Sequence, residues 1–273
     1  MRTLIAIIKL LAFAIFTLLL VIPQIIVLQF TKSRKSYILP HVWEKIVCQI
    51  LGIRIHIHGS PETKHQTAYI SNHLSYLDIP TLGSILKASF VAKRDVSGWP
   101  VFGFLSKMQQ TAFISRTRTD AGAGSNTLES MLEQGKNLIM FPEGTSTDGQ
   151  TIYPFKSSLF SIFFKNEQAE IAIQPITLKI ITVDGHTVQT QQDRDLYAWH
   201  INMDTPLPAH LWTFAKSKGA VIDIIFHPVI WPKDTKDRKT LAKTCHDAVS
   251  NGMTNHQDIQ KQARGDLNVE YHA

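Results

Sequence analysis

Thr67-Ala68-Tyr69-Ile70-Ser71-Asn72-His73-Leu74-Ser75-Tyr76-Leu77-Asp78 is a short apolar run that ends in polar residues and leads into a helix-forming segment. The first five residues predict a strand. Ser75 to Leu86 predicts a helix, broken by Pro80 near its start. His73 then falls just beyond a strand end, where α/β sheets place their sites. Five residues of ideal helix would turn the two side chains about 140° apart. His73 and Asp78 therefore meet only if His73 stands in the loop before the helix, which the order of residues allows. A carboxylate beside an imidazole fixes its tautomer and raises its basicity, which is half of a general-base device. No Gly-x-Ser-x-Gly pentapeptide accompanies the pair. The base suggested by these residues would act on a hydroxyl of the substrate, not of the enzyme.

The same alternation continues along the chain. His41 to Leu51 predicts a helix ended by Gly52, and Ile53, Ile55 and Ile57 alternate with Arg54, His56 and His58 as a half-buried strand. Further strands are expected at Ser89–Lys93, Gln110–Ser115, Asn137–Phe141, Ile171–Ile181 and Val221–Phe226. Helices are expected at Gly98–Lys107, Gly124–Gln134, Lys156–Lys165 and Lys236–Val249, with a polar tail after Asn251. This order implies an α/β fold with a mostly parallel central sheet flanked by helices.

From Leu10 through Thr31 there is no charged residue, a run long enough for a bilayer core, which takes about 20 apolar residues. No small-x-small cleavage site follows it, so the segment reads as an anchor and not as a cleaved signal. Pro23 either kinks one spanning helix or separates two shorter helices dipping into one leaflet. Lys32, Arg34 and Lys35 follow the run and Arg2 and Lys9 precede it. That slight excess favours a cytoplasmic C-terminal domain.

The 273 residues are 44% hydrophobic and 18% charged, with a net charge of +6, which is the balance of a folded chain. The basic residues are scattered and lack an Arg-rich arm, so nucleic acid is not the expected partner. Cys48 and Cys245 lie far apart, which fits two reduced thiols in a cytosol-facing domain.

Three further constellations stand at expected strand ends. Phe141-Pro142-Glu143-Gly144-Thr145-Ser146 offers an acceptor, a close-approaching backbone and a hydroxyl. Arg116, with Arg118 near it, follows Thr111–Ser115, and Lys93 ends its own strand. A guanidinium there suits two-point contact with a phosphate. Ile173-Gln174-Pro175-Ile176 is an apolar strand whose proline predicts an edge or a bulge. His56-Ile57-His58 has a ligand-like spacing, but no carboxylate or cysteine cluster joins it, and no metal is expected. Gly122-Ala123-Gly124 lacks the Gly-Lys-Ser/Thr of a phosphate loop.

Asn72-His73 with Asp78, Phe113-Ile114 with Arg116, Phe141 to Thr145, and Pro175-Ile176 occur in the order and spacing of the four blocks of the glycerolipid acyltransferases. The chain resembles that family over about residues 40 to 232, and most of all its bacterial 1-acyl-sn-glycerol-3-phosphate (lysophosphatidate) members. Gln110 and Ser115 depart from the second block, where glycine and an acidic residue are frequent. Tyr197-Ala198-Trp199-His200 resembles a branch that includes lyso-ornithine lipid acyltransferases. The resemblance implies an anchor over residues 1–35, an acyltransferase domain over 36–232, and a C-terminal helix and tail over 233–273. It implies transfer of a fatty acyl group from acyl carrier protein or coenzyme A to the sn-2 hydroxyl of lysophosphatidate, giving phosphatidic acid at a membrane, with no cofactor. In that scheme His73 is the base and Asp78 orients it. Arg116 and Lys93 hold the phosphate, and Glu143, Gly144 and Thr145 shape the acceptor site. Backbone N–H groups near His73 stabilise the oxyanion. Lyso-ornithine lipid is the alternative acceptor. A hydrolase would need an enzyme nucleophile, and a non-catalytic membrane scaffold would leave His73 and Asp78 dispensable.

Overall fold

The computed structural model describes residues 1–114, 121–165 and 170–254. The chain begins with two helices, α1 (Arg2–Phe30) and α2 (Ile38–Leu51). Then come β1 (Ile53–His58), β2 (Thr67–Ser71), α3 (Asp78–Gly83), β3 (Ser89–Lys93), α4 (Phe102–Met108) and β4 (Ala112–Ile114). Next are α5 (Ala121–Glu133), β5 (Leu138–Met140), β6 (Ala172–Val183) and β7 (His186–Thr187). The chain continues through α6 (Gln191–Arg194), α7 (Leu207–Ala215), β8 (Ala220–Phe226) and α8 (Arg238–Thr254).

The sheet runs β1-β8-β6-β2-β5-β3-β4, with β7 paired to β6. All contacts from β6 through β2, β5 and β3 to β4 are parallel, as is β1 with β8, whereas β8 and β7 run antiparallel to β6. The sheet is therefore mostly parallel, with helices on both faces. Alternation along the central strands feeds two cores. Tyr69 and Ile139 point to one face with Leu51, Leu82 and Phe214. Ala68, Ile70, Leu138 and Met140 point to the other with Phe160, Leu241 and Val249. Burial on both faces is the reason these strands read as continuous apolar runs. Helix α8 belongs to the second core through Leu241, Ala242, Cys245 and Val249. The expected tail beyond residue 254 lies outside the described residues.

Parallel strands put their C-terminal ends on one edge. The loops after β2, β5 and β3 therefore emerge side by side, and β4 ends on the same edge.

Four expectations are corrected. Pro175 lies in the central strand β6, paired with Ile70, and neither on an edge nor at the register shift between Ile180 and Thr182. Its carbonyl accepts from His227 N at 3.0 Å where the chain leaves β8. The ring occupies a place where no ladder donor is required. Lys156 to Lys165 is a 3₁₀ helix (Ser157–Phe164), not an α-helix. Phe160 and Phe163, three apart, are buried together and meet edge-on at 6.3 Å, which suits a three-residue turn. The helix expected from Ser75 begins only at Asp78, because the Asp78 carboxylate turns back to hold the preceding loop. The strand expected from Gln110 begins at Ala112, with Gln110 at φ 58°.

Helix α1 is continuous through Pro23, so the reading as two short helices does not hold. It packs antiparallel to α2 and is tied down along most of its length. Arg2 pairs with Asp184 at 3.0 Å. Lys9 Nζ donates to Leu51 O and Ser217 O at 3.0 Å each. Trp43 Nε1 donates to Thr17 Oγ1 at 2.9 Å, and Gln24 Nε2 to Ser36 O and Met108 O. At 1.5 Å per residue the tethers from Arg2 to Gln24 extend over about 33 Å. The outward face is apolar and exposed, including Leu4, Ile8, Leu11, Ile15, Leu18, Leu19, Ile22 and Ile26. Among the described residues it is the one helix long and apolar enough to cross a membrane.

Candidate active site

The loop after β2 is fixed at each residue. Asn72 is buried, and its side-chain amide pairs with β6 as a peptide would. Nδ2 donates to Leu178 O at 2.9 Å and Oδ1 accepts from Leu178 N at 2.8 Å. The β2–β6 pairing ends at Ser71–Ile176, so Asn72 prolongs it by one step and aims the next residue out of the sheet. His73 Nδ1 lies 2.8 Å from Asp78 Oδ2. A carboxylate only accepts, so Nδ1 carries the proton and Nε2 keeps its lone pair. Asp78 is completely buried, whereas the His73 side chain remains 22% exposed. The same Oδ2 accepts from Leu74 N at 2.6 Å and Ser75 N at 3.0 Å. Four donors converge on Asp78 once Tyr197 is counted, because Tyr197 donates its hydroxyl to Oδ1 at 3.2 Å.

The loop after β5 clamps His73 from beside. Glu143 Oε1 accepts from His73 N at 2.8 Å and its Oε2 accepts from Tyr153 N at 2.7 Å. Thr147 N donates to His73 O at 2.8 Å. The His73 ring stacks on Phe141 at 4.2 Å and 18°. Glu143 is 3% exposed. Burial, with Asp78 and Asp148 nearby, pushes its carboxyl up to about 8 despite the two amide donors. Glu143 thus shapes the site by holding the His73 backbone, with both of its oxygens already engaged inside the protein. Gly144 adopts φ 69°, and a Cβ there would collide with the Lys156 ammonium, which lies across the turn. Thr145 follows, partly buried.

Lys93 ends β3, next to β5 in the sheet, on the same edge. Arg116 lies outside the described residues. Lys156 was not singled out from the sequence. It sits eleven residues beyond the block and is brought back when its N–H bonds Pro142 O at 3.0 Å.

A third segment completes the site and was legible only as a family likeness. Tyr197 is fully buried, and burial with the nearby Asp78 holds its hydroxyl well above the usual phenol range. Trp199 N donates to Leu74 O at 2.9 Å, and Ser146 Oγ to Trp199 O at 2.6 Å. Residues 197–199 therefore close over the loops after β2 and β5. Tyr76 meets Trp199 and Phe102 edge-on at 6.0 and 6.1 Å. Its hydroxyl bonds His210 Nδ1 at 3.1 Å, while His210 Nε2 donates to Asp195 O at 3.0 Å. Burial lowers the pKa of His210, which favours the neutral ring this pairing needs.

The expected oxyanion donors are corrected in part. The N–H groups of His73, Leu74, Ser75 and Leu77 all bond inside the protein. Away from this edge, His56 and His58 both face Asp223, at 3.3 and 3.0 Å. No cluster of three or more metal-ligating side chains occurs among the described residues. Both cysteines are buried, which pushes each thiol up to about 12.

Comparison with known proteins agrees with this geometry. The family model described as Acyltransferase matches residues 53–179. The chain is 35% identical to a lyso-ornithine lipid O-acyltransferase of Rhodobacter capsulatus, over 77% of this chain and 73% of that one. It is 27% identical to a 1-acyl-sn-glycerol-3-phosphate acyltransferase of Neisseria gonorrhoeae, over 74% and 75% of the two chains. The fold is similar to the crystal structure of the 1-acyl-sn-glycerophosphate acyltransferase PlsC from Thermotoga maritima. That likeness has a TM-score of 0.65 at 16% identity and covers 98% of this chain and 100% of that one. With a histidine–aspartate pair at the sheet edge and relatives of this extent, the chain belongs to the glycerolipid acyltransferase family.

Proposed function

We propose that this acyltransferase esterifies the free hydroxyl of a lysolipid with a fatty acyl group from acyl carrier protein or coenzyme A, and that the lysolipid is lyso-ornithine lipid. The observation that carries the reaction type is His73 Nδ1 held by a fully buried Asp78, with Nε2 unshared among the described residues. Nε2 removes the proton from the acceptor hydroxyl as its oxygen attacks the thioester carbonyl. The tetrahedral intermediate collapses with loss of the thiol, which takes the proton back from the imidazolium. Base catalysis of this kind contributes about 10²- to 10⁴-fold. Among the described residues the Tyr76 N–H has no protein acceptor, so it is the amide of this loop left to bind the oxyanion.

The likeness to lyso-ornithine lipid acyltransferases supports the acceptor. So does the place of Tyr197 to Trp199 against the dyad. Lysophosphatidate is the second reading, favoured by two ammonium groups, Lys93 at the β3 end and Lys156 over Gly144, which suit a phosphate. Because α1 is tethered along the domain, we infer that it lies within one leaflet of the inner membrane, with the domain on the cytoplasmic side. The purified chain should be offered lyso-ornithine lipid and lysophosphatidate side by side, each with both thioester donors. Preferred turnover of lyso-ornithine lipid is expected, and turnover confined to lysophosphatidate refutes the acceptor while leaving the reaction type intact.

A further inference from the structure

The turn between β3 and α4 carries apolar side chains into solvent at the mouth of the site. Trp99 is 40% exposed, Val101 60% and Phe104 46%. Pro100 is exposed as well. The backbone is held in this shape against its own preference. Val101 has φ 61° and ψ −61°, and Phe102 N closes a three-residue turn onto Pro100 O at 2.6 Å. That turn is rare and strained, most of all for a β-branched residue. Strain of this kind persists where the surroundings impose it. Here Gly103 N bonds Trp99 O and Leu105 N bonds Val101 O, both at 2.9 Å. Gly103 also packs so closely that a Cβ would stand 2.6 Å from Ser97 O.

On its inner side the turn touches the catalytic loop. Phe102 packs on Tyr76 at 6.1 Å and Trp99 on Trp199 at 6.3 Å. On its outer side it continues into the membrane helix. Leu105 and Met108 of α4 line one groove with Leu20, Val21 and Gln24 of α1. The exposed face of α1 and the tip of this turn thus form one apolar surface, with exposed Arg94 and Lys107 at its border and Asp95 beside them.

We propose that Trp99 to Phe104 is a second membrane contact, a lip that enters the headgroup and acyl boundary beside the active site and holds His73 at the depth of a lysolipid hydroxyl. A tryptophan at the rim and aliphatic groups at the tip are what that boundary accepts. The lip rests on α1 lying in the membrane and not on which lysolipid is the acceptor.

The test uses the full chain. The buried native thiols stay unreactive, so Val101→Cys and Phe104→Cys take an environment-sensitive fluorophore selectively. Leu18→Cys on α1 and Lys64→Cys at the opposite sheet edge are the controls. Labelled protein is added to phosphatidylethanolamine–phosphatidylglycerol vesicles with and without acyl-chain nitroxide lipid. The expected result is blue-shifted emission and nitroxide quenching at Val101 and Phe104, matching Leu18, with neither at Lys64. Quenching at Leu18 without quenching at Val101 or Phe104 overturns the lip. A blue shift there without quenching also overturns it, since it shows burial against protein. No quenching at Leu18 overturns the membrane reading of α1 itself, and the lip with it. Val101→Asp is expected to raise KM for vesicle-borne lysolipid about tenfold, which is about 1.4 kcal/mol of lost insertion, and to leave turnover of a monomeric short-chain acceptor unchanged. Equal loss on both acceptors refutes the proposal.

Discussion

Replacing Tyr197 by phenylalanine removes one oxygen from a fully buried site and changes little else. The hydroxyl is the only partner of Asp78 Oδ1 among the described residues, at 3.2 Å. Thr81 Oγ1 lies 3.0 Å from the same hydroxyl but already donates to Leu77 O at 2.7 Å. The phenylalanine therefore orphans no donor and leaves one carboxylate oxygen bare. A hydrogen bond to a charged group contributes about 1.5–3 kcal/mol, which sets the expected loss of stability. The loss in kcat should be smaller than tenfold, because Oδ2 still receives His73 Nδ1, Leu74 N and Ser75 N and the ring stays aimed. Thermal melts and kcat at saturating acceptor measure both effects. A lower melting temperature with kcat unchanged would show that Tyr197 acts in packing alone, and its positioning role would fail.

His73→Ala is expected to lower turnover by about 10²- to 10⁴-fold with a melting temperature near that of the parent, since the side chain is part-exposed at the sheet edge. Turnover within a few-fold of the parent would remove His73 from the mechanism. Glu143→Gln tests the strut. The Glu143 carboxyl is raised from its ordinary 4.5 to about 8 in the fold, so its stabilising contribution is complete below about 4.5 and is lost as pH rises through about 8. Glutamine keeps one acceptor for two amide donors, which costs about 1–3 kcal/mol, and it cannot titrate. The parent's advantage over Glu143→Gln in denaturant melts should be largest near pH 5 and shrink toward pH 9. A constant difference across that window refutes the raised carboxyl.

The parallel core was legible because its strands are short apolar runs buried on both faces, so Thr67–Ser71 and Ser89–Lys93 stand where composition puts them. The His73–Asp78 contact was legible as a condition, that His73 precede the helix, and the fold meets it by starting α3 at Asp78 itself. Helix α7 was not legible, although Pro206 and Pro208 mark a helix start and Leu207, His210 and Phe214 recur at helical spacing. It is short and was hidden among turn residues. Tyr197 and Trp199 act from 119 and 125 residues beyond Asp78 and Leu74, by bonds to a carboxylate and a backbone carbonyl, and Lys156 from 14 residues beyond Pro142, by a bond to the turn. No local pattern encodes such partners, because a tyrosine that serves a carboxylate looks in sequence like any core aromatic.

The same separation explains how the site can be rigid while the acceptor varies within the family. Nearly every polar group that fixes His73 comes from backbone or from a buried side chain: Asn72 to Leu178, Glu143 to His73 N, Thr147 N to His73 O, and Tyr197 to Asp78. All of these bonds close within the protein. Outside this inner network, on the same sheet edge, stand the Lys93 strand end and the Lys156 ammonium over Gly144. Exchanging those outer groups changes the charge at the edge without disturbing the bonds that hold His73. An acceptor switch should therefore be sought by substituting Lys156 and its neighbours on the sheet edge, since any change in the inner network lowers the rate for every acceptor alike.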